Sequence, residues 1–267
     1  MKVAIIGGGN MGLTYARSFL HYKLVDSENL LIVEKNIDRA HSLQYNDKYV
    51  TATELNEELS LCDVVIIAVK PQDFIALSAQ LKSYLKPNQL VISIMAGISL
   101  KKLDELLSHN SIIRAMPNTP AQIGMGVTVF TASEKADLNL IKKADKLLST
   151  TGTAIFIEEE KLMDAVTAVS GSGPAYFYFF VKHMIEAGMK LGMDESMAHL
   201  LVKQTMLGAY HLMNTSEKSL DELIASVKSK GGTTEAALNV FSNKEMGETV
   251  QTAIFAAENR AKELSNG

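Results

Sequence analysis

The chain has 267 residues, 47% hydrophobic and 21% charged, with a net charge of −4 and one cysteine. That length suits one large or two modest domains with a buried core, and the charge, with no run of Lys or Arg, argues against nucleic-acid binding. The lone Cys62 excludes an intramolecular disulfide and fits a reducing cytoplasm, while no apolar stretch is long enough to serve as a signal peptide or to span a bilayer.

Lys2–Ile6 is a short β-branched run and predicts a strand buried on both faces. Gly7-Gly8-Gly9-Asn10-Met11-Gly12 follows with the spacing G-x-G-x-x-G, and a helical pattern runs from Asn10 to His21. A strand, a glycine turn and a helix N-terminus in that order build a site for a dinucleotide pyrophosphate. Gly7 allows the tight turn, Gly9 lets the backbone approach the phosphates, and Gly12 lets the helix pack close to the strand. The free N–H groups and positive dipole end of the helix face the anion.

Leu30–Val33 predicts a second strand, and Glu34 follows it, 22 residues after Gly12. An acidic side chain there accepts hydrogen bonds from an adenosine 2′-hydroxyl and repels a 2′-phosphate. Lys35 and Arg39 lie close by in the chain and can neutralise a phosphate if Glu34 turns outward, so residues 34–39 leave NADH and NADPH both open. Helices are predicted over residues 38–46 and 54–61. The run Asp63–Val69 predicts a buried parallel strand ending in Lys70-Pro71, with Pro71 opening a helix to Leu85.

Leu90–Met95 predicts the next strand, closed by Ala96-Gly97, small residues that either admit a flat nicotinamide ring or simply turn the chain. A helix over Ser99–Leu107 follows. Ile112–Met116 predicts a strand ending in the stiff loop Pro117-Asn118-Thr119-Pro120, where Asn118 either binds an amide or ribose or only shapes a turn. Two more strands, Val127–Thr131 and Thr153–Ile157, flank a helix from Glu134 to Leu148 with Leu140, Ile141, Ala144, Leu147 and Leu148 on its apolar face. The alternation predicts a doubly wound α/β domain over residues 1–158.

Residues 159–267 carry no further strand pattern and predict an all-helical domain. Gly173–Leu191 is apolar nearly all round, so it requires cover on every side, and another subunit is the expected cover. Further helices are predicted over Asp194–Met213, Leu220–Val227 and Glu245–Leu264. Ser170-Gly171-Ser172-Gly173-Pro174 and Ser229-Lys230-Gly231-Gly232-Thr233-Thr234-Glu235 each precede a helix. Each offers N–H groups and hydroxyls to a small carboxylate ligand, or serves only as cap and loop. There is no metal-ligand spacing and no nucleophile–base pair. A site of glycine N–H groups and hydroxyls suits a protonated imine, already electrophilic, better than a ketone, which needs an acid beside the carbonyl.

These pieces, with Ala68-Val69-Lys70-Pro71 and Met116-Pro117-Asn118-Thr119-Pro120, occur in an order that resembles the pyrroline-5-carboxylate reductases over the whole length. The resemblance implies an N-terminal Rossmann domain, a C-terminal all-helical dimerisation domain, and a homodimer sometimes built into a decamer of five dimers. It implies reduction of a cyclic imine to proline, with NADP(H) favoured and NAD(H) admitted by Glu34. It places the substrate on Ser172 and the loop of Ser229, Gly231, Gly232, Thr233 and Thr234, with Thr234 at the imine nitrogen. Gly7, Gly8, Gly9, Asn10, Met11, Gly12, Glu34, Lys35, Ala68, Val69, Lys70, Pro71, Ala96, Gly97 and Asn118 fall on the cofactor side. Glu34 departs from the polar or basic residue that many members carry. A β-hydroxyacid dehydrogenase shares the layout but places a catalytic Lys four residues after the later glycine motif, where this chain has Phe177. A non-catalytic paralogue is the remaining alternative.

Overall fold

The computed structural model describes residues 1–47 and 49–266. Among the described residues eight strands form one sheet: β1 Val3–Ile6, β2 Leu30–Val33, β3 Val50–Ala52, β4 Val64–Ile67, β5 Leu90–Ser93, β6 Ile112–Met116, β7 Gly126–Ala132 and β8 Gly152–Phe156. Their order is β3-β2-β1-β4-β5-β6-β7-β8, parallel from β3 to β6, with β7 antiparallel to β6 and β8 parallel to β7. The order reverses between β1 and β4, the point where an open α/β sheet forms its ligand crevice.

β1, β2, β4 and β5 are buried at every position. Alternate residues serve opposite faces. Val3, Ile5, Val64 and Ile66 join Tyr15 and Phe19 of helix α1 (Asn10–His21) in one core. Ala4, Ile6, Val65 and Ile67 join the other core, with Phe74 and Leu81 of α3 (Pro71–Tyr84), which follows α2 (Ile37–Asn46) in the chain. That core also holds Leu103 and Leu107 of α4 (Leu100–Leu107), while Ala144, Leu147 and Leu148 of α5 (Leu138–Leu148) belong to the first. Helices on both faces explain why these strands read as unbroken apolar runs.

Within residues 1–158, two elements differ from expectation. β3 is a three-residue edge strand without a readable period, and residues 54–61 hold only a 3₁₀ turn, Glu57–Leu61, capped by Asn56. Internal contacts group Met1–Ser172 with the chain from Ala257 onward, and Gly173–Ala256 separately. Residues 159–172, read from the sequence as part of the helical half, thus make their contacts with the first unit. The cause is Arg114, 4% exposed on β6, whose guanidinium pairs with Glu160 at 2.9 Å and Asp164 at 3.0 Å. Asp164 lies on the short helix α6 (Met163–Val166) and also accepts the Ser265 hydroxyl at 3.0 Å. A buried guanidinium requires these carboxylates, and they hold both segments in the first unit.

The second unit is helical: α7 Gly173–Lys190, α8 Glu195–Thr215, α9 Leu220–Val227, α10 Thr233–Asn243 and the start of α11 Met246–Asn266. Asp194 caps α8, and Ser219 with Glu222 forms a capping box on α9. Within one chain α7 buries Ile185 and Gly188 but leaves Phe177, Tyr178 and Phe179 more than 60% exposed. Exposed aromatic surface of this extent marks an interaction face.

Candidate active site

Gly7 has φ +106°, a left-handed value open to glycine, and its N–H donates to Val33 O at 2.8 Å. A Cβ on Gly12 would strike Gly7 O, so the helix packs against the turn as the motif predicts. A Cβ on Gly9 would meet nothing within 4 Å. Gly9 is the N-cap of α1 with no side-chain cap, and no acidic residue sits in the first turn. Leu13 N–H is returned to Gly9 O at 2.9 Å, which leaves the N–H groups of Asn10, Met11 and Gly12 for an anion. The open space and free donors fit a dinucleotide pyrophosphate.

Glu34 follows β2 with its side chain 12% exposed. Its Oε1 accepts the Asn36 N–H at 2.9 Å, and Oε2 lies 3.0 Å from the place a Cβ on Gly8 would take. The carboxylate therefore turns inward over the glycine turn. Arg39 Nε is 3.8 Å from Oε2. Lys35 turns away to Asp73 at 2.9 Å. A side chain at position 8 would press on Glu34 Oε2 and Leu43 Cδ1, a closeness that the motif does not show.

Ala68, Val69, Lys70 and Pro71 follow β4. Ala68 N–H donates to Ile6 O at 2.8 Å, while Lys70 is the exposed N-cap of α3 and Pro71 its first residue. Ala96 and Gly97 follow β5. Gly97 has φ +70°, and a Cβ there would lie 2.7 Å from Leu264 Cβ. Asn118 follows β6; its Oδ1 accepts the Val127 N–H at 3.0 Å and its Nδ2 donates to Ser170 Oγ at 3.4 Å. The structure thus gathers the cofactor-side candidates at the carboxyl ends of β1, β2, β4, β5 and β6.

Ser170 and Gly171 of the first cluster end a π-helical turn, Thr167–Gly171, in which Ser172 N–H reaches Thr167 O at 2.9 Å, and Gly173 and Pro174 open α7. Such turns recur at functional sites. A Cβ on Gly171 would strike Met116 Cε. Ser172, partly exposed, ends the first unit.

The loop before α10 lies in the second unit. Gly231 has φ +74°, and its N–H donates to Glu235 Oε2 at 2.7 Å. Lys228 Nζ lies 3.6 Å from the other oxygen. The Gly231 N–H and then Lys228 hold the Glu235 carboxyl below its usual range. Gly232 N–H donates to Ser229 O at 3.0 Å, and a Cβ on Gly232 would strike Ser229 Oγ. Gly232 caps α10 without a side chain, so the first-turn N–H groups of Thr233 and Thr234, with their hydroxyls, remain to hold a carboxylate. The Gly231 and Gly232 amides both bond within the loop. Glu235, three residues past the cap, ties the loop and was not among the site candidates read from the sequence; that spacing was the available signal.

Among the described residues no group of His, Cys, Asp and Glu is placed to hold a metal ion. Burial pushes the Cys62 thiol up to about 11, which keeps it unreactive. Phe177 stands on the exposed face of α7 and Lys182 lies 3.7 Å from Glu186, so neither supplies the lysine of a β-hydroxyacid dehydrogenase.

Residues 160–264 match the family model for pyrroline-5-carboxylate reductase dimerisation, and residues 2–97 match that for coenzyme F420-dependent NADP oxidoreductases. The chain is 36% identical to a pyrroline-5-carboxylate reductase of Pseudomonas aeruginosa, covering 99% of this chain and 97% of that one. It is 34% identical to pyrroline-5-carboxylate reductase 2 of Bacillus subtilis, covering 98% and 95%. Among solved structures, the pyrroline carboxylate reductase of Plasmodium falciparum with NADP bound superposes with a TM-score of 0.90 at 30% identity, covering 99% and 98%. The Coxiella burnetii pyrroline-5-carboxylate reductase gives 0.86 at 32% identity, with the same coverage.

Proposed function

The chain belongs to the pyrroline-5-carboxylate reductase family, and from that premise we propose how its residues carry out NAD(P)H-dependent reduction of 1-pyrroline-5-carboxylate to L-proline, the last step of proline biosynthesis. The observation that supports the assignment of roles is the uncapped N-terminus of α10, where Thr233 and Thr234 keep their N–H groups free. The substrate carboxylate takes these N–H groups, favoured by the dipole of the helix, with the Ser229 hydroxyl as a further partner. The ring nitrogen, protonated in the reactive imine, donates its N–H to Thr234 Oγ1.

When bound, the dihydronicotinamide supplies the hydride that the imine carbon accepts. The π electrons of C=N move to nitrogen, which keeps its proton, so the product is the amine of proline and no separate acid is needed. Thr234 thus orients the reacting bond. The Gly7–Gly12 turn holds the pyrophosphate, Glu34 and Lys35 flank the adenosine side, and Ala68–Pro71, Ala96, Gly97 and Asn118 line the nicotinamide side. NADP(H) is the family's cofactor, and Glu34 also admits NAD(H).

The helical unit makes the chain a homo-oligomer. We assign a homodimer; a sedimenting particle of ten chains would show five dimers associating further. No helix among the described residues is long and apolar enough to cross a membrane, in keeping with a cytoplasmic enzyme.

The test is direct. Purified protein oxidises NADH or NADPH only when the cyclic imine is supplied, and failure with both sinks the reading. Thr234→Ala lowers kcat/KM by about 10- to 100-fold, the worth of a hydrogen bond to a charged group, and Thr234→Ser restores it. Unchanged turnover in Thr234→Ala moves the hydroxyl role to another residue.

A further inference from the structure

We propose that Glu34 makes this chain take NADH in preference to NADPH, a reading that rests on the glycine turn holding a dinucleotide. The pyrophosphate is fixed at Gly7–Gly12, and the adenosine ribose leaves it toward the end of β2. There the Glu34 carboxylate is already in place. Its own N–H donates to Ala52 O at 2.9 Å, Asn36 N–H holds Oε1, and Oε2 lies beside Gly8, 3.0 Å from where a Cβ would stand. Only 12% of the side chain is exposed.

An inward carboxylate meets the two cofactors differently. The 2′- and 3′-hydroxyls of NADH are donors, and a carboxylate accepts from both. The 2′-phosphate of NADPH has no donor at neutral pH and places up to two negative charges against a third. The nearby cations do not offset this. Lys35 is 2.9 Å from Asp73, and Arg39, 3.8 Å from Glu34, makes the pair neutral rather than positive. A ribose diol suits a neutral pair; a phosphate needs a cationic one. The opposite result has its own chemistry, because Arg17 and Arg39 line a cleft of about 730 Å³ beside Asn10, and a 2′-phosphate drawn to these guanidiniums would reverse the order.

The test is equilibrium titration of the full-length protein, followed by nicotinamide fluorescence without substrate, for wild type and Glu34→Gln. The Gln side chain keeps the shape and removes the charge on a residue outside the core, so folding is retained. In wild type, Kd for NADPH exceeds that for NADH by about tenfold or more. In Glu34→Gln the two constants come within about threefold, chiefly because NADPH binds tighter. NADPH binding as tightly as NADH to wild type overturns the proposal, and so does an unchanged ratio in the variant. Failure of both dinucleotides to bind overturns the reductase reading as well, whereas tighter NADPH binding overturns this inference alone.

Discussion

Glu235 Oε2 accepts the Gly231 N–H at 2.7 Å, so a carboxylate of the chain itself occupies one of the amides in the loop proposed to receive the substrate's carboxylate. With Gly232 N–H on Ser229 O, the loop is tied from within and leaves the Thr233 and Thr234 amides to the proposed substrate. On that reading Glu235 acts through the loop and not by contact, as a positioning residue.

Glu235→Gln therefore raises KM for the imine by about three- to tenfold and leaves kcat within about twofold, since a charge-assisted hydrogen bond becomes a neutral one. The pH dependence follows from the sign of the shift. The carboxyl is held below its usual range in the folded loop, so its contribution is complete at neutral pH. It is lost as the pH falls below the ordinary glutamate range through the lowered value. The wild-type KM rises in acid over that window, and the Gln variant lacks this rise. Steady-state kinetics across pH decide the matter; identical KM profiles for the two proteins would reduce Glu235 to an ordinary helix cap.

Gly9 and Gly12 separate binding from folding. A Cβ on Gly12 would strike Gly7 O, and one on Gly9 would enter open space. Gly12→Ala destabilises the protein by about 2–4 kcal/mol, because backbone must move to make room. Gly9→Ala shifts Tm by less than about 2 °C, since only a weak N-cap preference is lost, yet its methyl points where the phosphates lie and dinucleotide binding falls at least about tenfold. Thermal unfolding and dinucleotide titration of both variants check this; tight binding by folded Gly9→Ala would move the pyrophosphate elsewhere.

What the sequence showed, and what it withheld, follows from the range of each determinant. β1, β2, β4 and β5 were legible because burial on both faces demands unbroken Val and Ile runs. The glycine turn was legible because its steric demands are local. β3 has three partly exposed residues and leaves no period, and the antiparallel setting of β7 is a property of the sheet rather than of its own residues. Glu34 was visible as a residue but not as a direction, which Asn36 N–H and the missing Cβ of Gly8 decide. Arg114 lies within the strand run Ile112–Met116 and drew no separate reading. Its partners lie 46 and 50 residues away, so they could not be found by pattern.

Arg114 contributes to stability through charge. Arg114→Met removes a guanidinium that is 4% exposed and leaves Glu160 and Asp164, 30% and 15% exposed, without their cation. Breaking such a pair from one side costs about 3 kcal/mol here, toward the low end of the range because Glu160 stays partly in water. Urea unfolding should show the loss as a lower midpoint with the same slope. Adding Glu160→Gln and Asp164→Asn to Arg114→Met recovers part of it, because no buried charge is then unpaired. A triple variant no more stable than Arg114→Met would show that shape, not charge, is what Arg114 supplies.

The face of α7 carries the last prediction. Phe177, Tyr178 and Phe179 are 67%, 64% and 61% exposed in the single chain, and the dimerisation model covers this segment. Burying one such aromatic ring at an interface is worth about 2–3 kcal/mol, and a carboxylate forced into the same place adds a desolvation cost. Phe177→Asp therefore raises the dimer dissociation constant by at least about a hundredfold. Sedimentation over a dilution series checks this. The first unit has its own cores and its own glycine turn, so the monomeric variant still binds the dinucleotide while losing turnover of the imine. A variant that remains a dimer at wild-type concentrations would place the subunit contact on another face of the helical unit.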